Sequence, residues 1–204
     1  MSVGQPVEAI IFDFFGVIVE YDETILNRRL APFCPDPEAA LAAMGNLGAE
    51  RDVNTGEATI ADVHQRVAAQ FGLEMPLDDF ERAWSESYSW PMPGMDNLLR
   101  ELSQRYRLIL LSNIDAYYWN NVYSDYEPLR SFERVLLSFE LGVAKPDPEA
   151  FVLAAKAAGC DFGACLFIDD REGNTEAAAA LGMQTHVFRG VEYLRAELTR
   201  RGML

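Results

Sequence analysis

Polar residues stand at the ends of four short apolar runs in this chain, and their types could carry out chemistry at one place. Ligands of parallel sheets bind beyond the carboxyl ends of the strands, so such positions are candidates for an active site. Any one of them could instead cap a helix, form a turn or lie on the surface, but four in succession indicate a site. They are Asp13 after the first run, Ser112 and Asn113 after the second, Lys145 after the third, and Asp169 and Asp170 after the fourth.

The carboxylate of Asp13 is a candidate nucleophile. A carboxylate can attack phosphorus and form an aspartyl-phosphate, which water then hydrolyses. Attack by one anion on another needs a cation between them, and Mg²⁺ prefers hard oxygen ligands such as carboxylates. We therefore predict that Asp13 and Asp169 share a magnesium ion, with Asp170 close to it through a water molecule.

The net charge of −15 makes a local source of positive charge necessary at such a site. A chain this acidic repels an anionic substrate at long range. Lys145 would neutralise charge on the transferring phosphoryl group, while the Ser112 hydroxyl and the Asn113 backbone N–H would hold its oxygens. The sequence therefore predicts a small phosphorylated substrate bound by these three residues, with Lys145 and Ser112 also assisting catalysis.

The elements that must position these residues alternate between buried strands and helices. Short apolar runs that stop abruptly are typical of strands covered on both faces. Their alternation with helices predicts an α/β fold with an open parallel sheet and helices on both sides. The predicted strands are residues 9–12, 108–111, 135–137, 165–168 and, with a weaker pattern, 185–188. The predicted helices of this part are residues 95–106, residues 148–158 with Asp147 as the N-cap, and residues 174–181.

The stretch between the first two runs has no strand pattern and is predicted to be a helical insertion. Helices are expected at residues 23–33, 37–44, 60–71 and 77–88. Thr59 and Asp62 resemble a capping box at the start of the third helix. The predicted organisation is an α/β core of residues 1–20 and 91–204 with a small helical cap of residues 21–90.

The composition predicts a globular protein of the cytoplasm. Half of the residues are apolar and 24% are charged, without a run of about 18 apolar residues that would indicate a membrane span. The acidic charge argues against nucleic-acid and membrane partners, and the first residues lack the pattern of a secretory signal. Three scattered cysteines are interpreted as core residues, and two isolated histidines offer little to a metal site. A monomer or a homodimer is expected.

The four polar groups resemble the four motifs of haloacid dehalogenase-like hydrolases. Two longer stretches, SFELGVAKPD and LFIDDREGN, are similar to those of small sugar-phosphate phosphatases of subfamily IA and of the N-terminal phosphatase domains of soluble epoxide hydrolases. The matching motifs are FDFFGV at residues 12–17, LLSN at 110–113, KPD at 145–147, and FIDD at 167–170 followed by Asn174.

The resemblance implies a Rossmannoid core of the haloacid dehalogenase-like type and a magnesium-dependent phosphatase activity. It implies that Asp13 is the nucleophile and that the Asp169 carboxylate and the Phe15 backbone carbonyl are metal ligands. It also implies that residues 21–90 form the cap that closes over the substrate and determines substrate choice.

Phe15 departs from the family pattern at a position that matters for catalysis. The usual first motif has an acid there, which serves as general acid and then as general base, a role worth about 10²–10⁴-fold. Three interpretations follow: a phosphatase whose proton transfer is slower or differently assisted, a non-catalytic protein that binds a phosphorylated ligand or a partner, and a 2-haloacid dehalogenase. The pair of Asp169 and Asp170 weighs against the dehalogenase, because two carboxylates would repel an anionic haloacid.

A few other residues could contact the substrate. Arg51 and Asn54 lie in a polar loop of the insertion and could reach a sugar hydroxyl. Asp115 could also touch the substrate, although a helix N-cap is the favoured interpretation. The remaining candidates are Tyr21 and Asp22, where the chain enters the insertion, and Trp84, Tyr88, Trp90 and Trp119, for which core positions are favoured over a pocket lining.

Overall fold

A computed structural model describes residues 5–22, 24–46, 49–86, 88–123 and 126–204 of the chain. Its strands are β1 (Ala9–Phe12), β2 (Val19–Tyr21), β3 (Tyr88–Pro91), β4 (Arg107–Ser112), β5 (Arg134–Leu137), β6 (Cys165–Asp169) and β7 (Gln184–Val187). Its helices are α1 (Thr24–Leu30), α2 (Pro37–Asn46), α3 (Ala49–Asn54), α4 (Ile60–Phe71), α5 (Leu77–Glu86), α6 (Met95–Leu102), α7 (Ala116–Tyr118), α8 (Ser138–Leu141), α9 (Pro148–Ala158), α10 (Glu172–Ala180) and α11 (Val191–Arg200).

Five strands form one parallel sheet in the order β5-β4-β1-β6-β7. The central strand β1 pairs with β4 on one side and with β6 on the other, and all four of its residues are buried. A short, wholly apolar strand is stable there because helices cover both faces of the sheet. The predicted α/β fold with an open parallel sheet is thus confirmed, and the five predicted strands differ from the observed ones by one residue at most.

Side chains of the central strands β1, β4 and β6 alternate between two hydrophobic clusters, one on each face of the sheet. Ile10 and Phe12 of β1 join the cluster that packs against α6 and α11, whereas Ala9 and Ile11 join the cluster that packs against α9 and α10. This alternation follows from the two-residue period of a strand. Cys165 lies in the second cluster.

The helices of the core begin and end near their predicted bounds. Helix α9 spans the predicted residues, and the Asp147 carboxylate accepts a hydrogen bond from the Glu149 N–H, 3.0 Å, at its start. Helix α6 ends at Leu102, four residues early, and α10 begins at Glu172. None of the described helices is long and apolar enough to cross a membrane.

Helices α1 to α5 pack around a third hydrophobic cluster of their own, which includes Leu30, Cys34, Val63 and Phe80. The predicted capping box at the start of α4 is confirmed: the Thr59 side chain accepts from the Asp62 N–H, and the Asp62 carboxylate accepts from the Thr59 N–H at 2.8 Å. The helix predicted at residues 23–33 is shorter than expected, since α1 ends at Leu30 and a 3₁₀ turn follows.

An antiparallel pair of strands at the two ends of the insertion was not predicted. Strand β2 pairs with β3, so that Glu20 lies opposite Trp90 and Val19 opposite Pro91. The prediction that residues 21–90 lack strands is therefore wrong at both of its ends. A ribbon of three and four residues, joining positions about 70 residues apart, leaves no periodic pattern in the local sequence. The predicted domain boundaries, after residues 20 and 90, fall inside these two strands.

Candidate active site

The carboxyl ends of the central strands bring the predicted site residues to one edge of the sheet. Asp13 directly follows β1 and donates its backbone N–H to the Ile168 carbonyl of β6, 2.9 Å away. Ser112 is the last residue of β4, and Asp169 is the last residue of β6. Asp13 and Asp169 therefore lie where the strands are still hydrogen-bonded to each other, and this pairing fixes the positions of their backbones.

Lys145 lies between two buried carboxylates. Its Nζ is 2.6 Å from Asp13 Oδ1 and 2.9 Å from Asp169 Oδ2. The exposed fractions of the three residues are 5% for Lys145, 7% for Asp13 and 0% for Asp169. Salt screens such buried pairs much less than surface pairs. Two carboxylates around one ammonium leave an excess of negative charge, which a bound cation would balance.

The ionisation of the three groups is set by burial and by one another. Burial raises the pKa of Asp13 to about 7, although the Lys145 ammonium acts in the opposite direction. Burial also disfavours charge on Asp169, but Lys145 and the hydrogen bonds to its carboxylate outweigh that effect and lower its pKa. The same two carboxylates overcome the burial of Lys145 and raise its pKa. Of the two acids that contact Lys145, Asp13 is therefore the one whose ionisation burial opposes most, and its pKa lies above that of Asp169.

The carboxylate of Asp169 is oriented by the start of α10. The Asn174 side-chain amide donates to both of its oxygens, with Nδ2 3.0 Å from each, and the Arg171 backbone N–H donates to Oδ1 at 2.8 Å. Asn174 itself is buried. These donors fix the direction in which Asp169 presents its charge.

Three carboxylates form a compact cluster that suits a divalent cation. One oxygen from each of Asp13, Asp169 and Asp170 lies within 4.8 Å of the others. Gly16, at φ +75°, allows this approach, because a Cβ at that position would lie 2.6 Å from Asp170 Oδ2. Oxygen ligands of this kind are those that Mg²⁺ prefers. The three predicted carboxylate ligands are therefore brought together, and Phe15 lies in the adjoining loop after β1.

Phe15 occupies the position of the missing acid and packs its ring against other aromatic residues. The ring is edge-on to Phe14 at 5.1 Å and to Tyr118 at 5.4 Å between centroids. It is half-buried and lines the cavity beside Asp13. The space of a carboxyl group is thus filled by an apolar surface.

Ser112 and Asn113 have different surroundings. The Ser112 Oγ is buried and has no hydrogen-bond partner among the described residues, so a ligand oxygen would satisfy it. The side chain of Asn113 instead brackets the backbone of Lys145: Nδ2 donates to the Lys145 carbonyl and Oδ1 accepts from the Lys145 N–H, each at 2.8 Å. Asn113 thereby holds the loop that carries the lysine, a contact that the sequence analysis missed.

A cavity of about 60 Å³ adjoins these groups, and both the core and the insertion line it. The core contributes most of the lining, and the insertion contributes two residues. The lining residues from the core are Asp13, Phe15, Gly16, Asn113, Ile114, Asp115, Lys145, Asp170, Arg171 and Asn174, and those from the insertion are Asn54 and Trp84.

Asp115 joins the core to the insertion. Its Oδ1 accepts from the Tyr118 N–H at 2.8 Å, which confirms the predicted N-cap of α7. Its Oδ2 accepts from the Trp84 indole N–H at 3.0 Å. The residue is buried, and burial raises its pKa. Asp115 therefore both caps a helix and lines the cavity.

The remaining candidates are distributed more widely. Arg51 is exposed and does not line the cavity, whereas Asn54 does. Asp22 accepts hydrogen bonds from Thr24 and forms an exposed pair with Arg28, and Trp119 packs against the core cluster. Trp84, favoured as a core residue, lines the cavity as well. The side chains of Tyr21, Tyr88 and Trp90 lie outside the part of the chain that the structure describes.

Comparisons with known proteins agree with this architecture. The family model described as haloacid dehalogenase-like hydrolase matches residues 7–182. The curated D-ribitol-5-phosphate phosphatase of Bacteroides thetaiotaomicron is 25% identical over 201 residues, which cover 95% of this chain and 97% of that protein. A crystal structure of a HAD family enzyme from Bacteroides thetaiotaomicron superimposes with a TM-score of 0.81 at 24% identity, covering 91% of this chain and 95% of the other. The wild-type form of that enzyme in complex with magnesium and inorganic phosphate superimposes with a TM-score of 0.72 at 23% identity, covering 90% and 95%.

Proposed function

The chain belongs to the haloacid dehalogenase-like hydrolase family, and we propose that it is a magnesium-dependent phosphatase with Asp13 as its nucleophile. Its substrate would be a small phosphorylated metabolite, with sugar and polyol phosphates as the first candidates. One observation carries the proposal: Lys145 lies between Asp13 and Asp169 in a buried site that also holds Asp170. The phosphatase named for ribitol 5-phosphate, which matches nearly the whole chain, supports the choice of candidates.

The carboxylate of Asp13 would make the first covalent bond. The Lys145 ammonium and the Phe14 N–H both contact its Oδ1, which leaves Oδ2 for the attack on phosphorus. The bond from phosphorus to the leaving-group oxygen breaks as the aspartyl-phosphate forms. Water then attacks that phosphorus and releases inorganic phosphate, which restores the carboxylate.

The other residues would stabilise the phosphoryl group. Mg²⁺, when bound by Asp13, Asp169 and the Phe15 carbonyl with Asp170 reached through water, would reduce the repulsion between the carboxylates and the phosphate. Lys145 would add the positive charge of its own ammonium to that of the metal ion. The Ser112 hydroxyl, which has no partner among the described residues, and the Asn113 N–H would hold phosphoryl oxygens, and Asn113 would also keep Lys145 in place.

Phe15 determines which leaving groups suit this site. Without an acid at that position, the leaving oxygen has no carboxyl group next to the nucleophile from which to take a proton. Aryl and acyl phosphates need less help of this kind than alkyl phosphates do. The proposal therefore includes a general preference for good leaving groups, with turnover of alkyl phosphates slower but present.

The helical insertion would act as the cap of this enzyme. Asn54 and Trp84 reach the cavity from it, and Trp84 is hydrogen-bonded to the core. Substrate selection by residues 21–90 and a monomeric or homodimeric cytoplasmic protein without nucleic-acid or membrane partners remain part of the proposal.

The decisive experiment measures hydrolysis of para-nitrophenyl phosphate with Mg²⁺ and with EDTA, for the wild type and for Asp13→Asn. We expect metal-dependent release of phosphate that falls by at least about 10³-fold in the variant, because the nucleophile is lost. Asp22→Asn is the matched control, since Asp22 lies on the surface away from the cavity. Turnover that persists in Asp13→Asn or in EDTA would disprove the proposed mechanism.

A further inference from the structure

We propose that Asp115 and Asn54 form a subsite that binds hydroxyl groups of the leaving group, so that the enzyme selects sugar or polyol monophosphates over phosphates of plain alkyl chains. This inference rests on the proposed function, because it concerns the substrate of the same cavity. Two polar side chains of the cavity lining, one from the core and one from the insertion, have no part in the chemistry of phosphoryl transfer.

Asp115 offers a buried anionic acceptor away from the acidic cluster. It lines the cavity together with Asp13, yet it does not belong to the group of Asp13, Asp169 and Asp170 that suits a metal. Each of its oxygens accepts one of the two hydrogen bonds, from the Tyr118 N–H and from the Trp84 indole. A carboxylate has about four acceptor sites, so the group retains capacity for a substrate hydroxyl.

Asn54 offers a donor and an acceptor from the insertion. The residue ends α3, is half-buried and lines the same cavity. Its side-chain amide forms no hydrogen bond with any described residue. The turn behind it is packed tightly on the core, since a Cβ at Gly56 would lie 2.8 Å from the Phe139 carbonyl oxygen. The backbone next to Asn54 is thus held close to the core, while its amide has no partner among the described residues and is available to a ligand.

Trp84 links the insertion to Asp115, because its indole N–H donates to Asp115 Oδ2 at 3.0 Å and the residue lines the same cavity. A substrate hydroxyl could bond to Asp115 beside the indole or in its place, since a carboxylate oxygen accepts more than one hydrogen bond. An alkyl chain at the same point has no donor, so it would cover a buried carboxylate without offering it a hydrogen bond.

The inference predicts the ratio of kcat/KM between two matched substrates, one with hydroxyl groups and one without. Ribitol 5-phosphate and n-pentyl phosphate both release a primary alkoxide from a five-carbon chain, so the missing acid at Phe15 affects both similarly. A hydrogen bond to a charged group changes binding by about 10-fold to 100-fold. We expect the wild type to prefer ribitol 5-phosphate by at least that much in kcat/KM.

Asp115→Asn and Asn54→Ala should each reduce this ratio at least about 5-fold, since each removes part of the hydroxyl site. Asp52→Asn is the control: Asp52 lies on the same helix as Asn54, pairs with Arg66 at 3.3 Å and does not line the cavity. Thermal melting of each variant verifies that it is folded. A wild-type ratio near one, or a ratio unchanged in both folded variants, would overturn the inference.

A binding measurement separates failure of this inference from failure of the proposed function. If the wild type hydrolyses no phosphate ester, calorimetric titration of Asp13→Asn with the same two compounds shows whether the hydroxyl subsite exists. Tighter binding of ribitol 5-phosphate that is lost in Asp13→Asn/Asp115→Asn would sustain the hydroxyl subsite without catalysis. Equal binding of both compounds, or binding of neither, would refute it.

Discussion

The two walls of the cavity are built in different ways. On the core wall, Asp13, Lys145 and Asp169 are buried and each makes at least two polar contacts. On the insertion wall, the Asn54 amide has no partner among the described residues, and Trp84 is tied to the core by one hydrogen bond. Fixed charges stabilise a transition state without reorganisation, whereas recognition of a leaving group needs polar groups that are still free to bond.

This contrast predicts different kinetic effects of substitutions on the two walls. Changes at Asp13, Lys145 or Asp169 on the core wall should lower kcat for every phosphate ester, since all of them share the phosphoryl group. Changes on the insertion wall should alter KM and the order of preference among substrates. Substitutions on each wall test the contrast.

Replacing Lys145 should have the largest of these effects. In Lys145→Met, Asp13 and Asp169 would face the phosphoryl group without the ammonium between them, and kcat for para-nitrophenyl phosphate should fall by about 10²–10³-fold. The chain contains one other lysine, Lys156, exposed on α9, so Lys156→Met is the control for steady-state kinetics. A loss no larger than that of the control would show that the core wall does not supply the charge.

The core wall was predictable because its signals are local in the sequence. An apolar run that stops at a polar residue marks the end of a buried strand, and parallel strands place their carboxyl ends at one edge. Asp13, Ser112 and Asp169 follow this rule, and the family and fold deduced from these motifs are confirmed. The roles of the individual site residues stay predictions.

The insertion wall was not predictable in the same way, because its contacts join residues far apart in the chain. Nothing in the sequence distinguishes Asn54, which lines the cavity, from Arg51, which is exposed. No local pattern in the sequence indicates the Trp84–Asp115 hydrogen bond or the pairing of β2 with β3 either. The Asn113 side chain was also missed on the core side, since its contact with Lys145 depends on how two loops meet.

Phe15 differs from the rest of the core wall, since it offers an apolar surface where an acid is usual. Phe15→Asp should raise kcat/KM for n-pentyl phosphate relative to para-nitrophenyl phosphate by at least about 10-fold, because a positioned acid assists poor leaving groups most. The ratio of the two rates is the measurement, with Phe15→Asn as the uncharged control. Equal changes for both substrates would mean that protonation of the leaving group does not limit turnover.

Trp84→Phe should give the smallest effect and tests whether the insertion wall contributes to binding alone. The substitution keeps an aromatic ring but removes the indole N–H, so buried Asp115 loses one of its two donors. We expect the free energy of unfolding, measured with urea, to fall by about 1–3 kcal/mol, and KM to change several-fold while kcat stays close to that of the wild type.

A double-mutant cycle assigns that loss to the hydrogen bond between Trp84 and Asp115. If the bond is the cause, Trp84→Phe should cost little further stability in an Asp115→Ala background, which has no side-chain acceptor for the indole, because neighbouring residues that share one interaction are not additive. Additive losses would instead reflect general packing of the insertion. A fall in kcat comparable with that of Lys145→Met would break the contrast between the walls, because the insertion would then help to stabilise the transition state rather than select the leaving group.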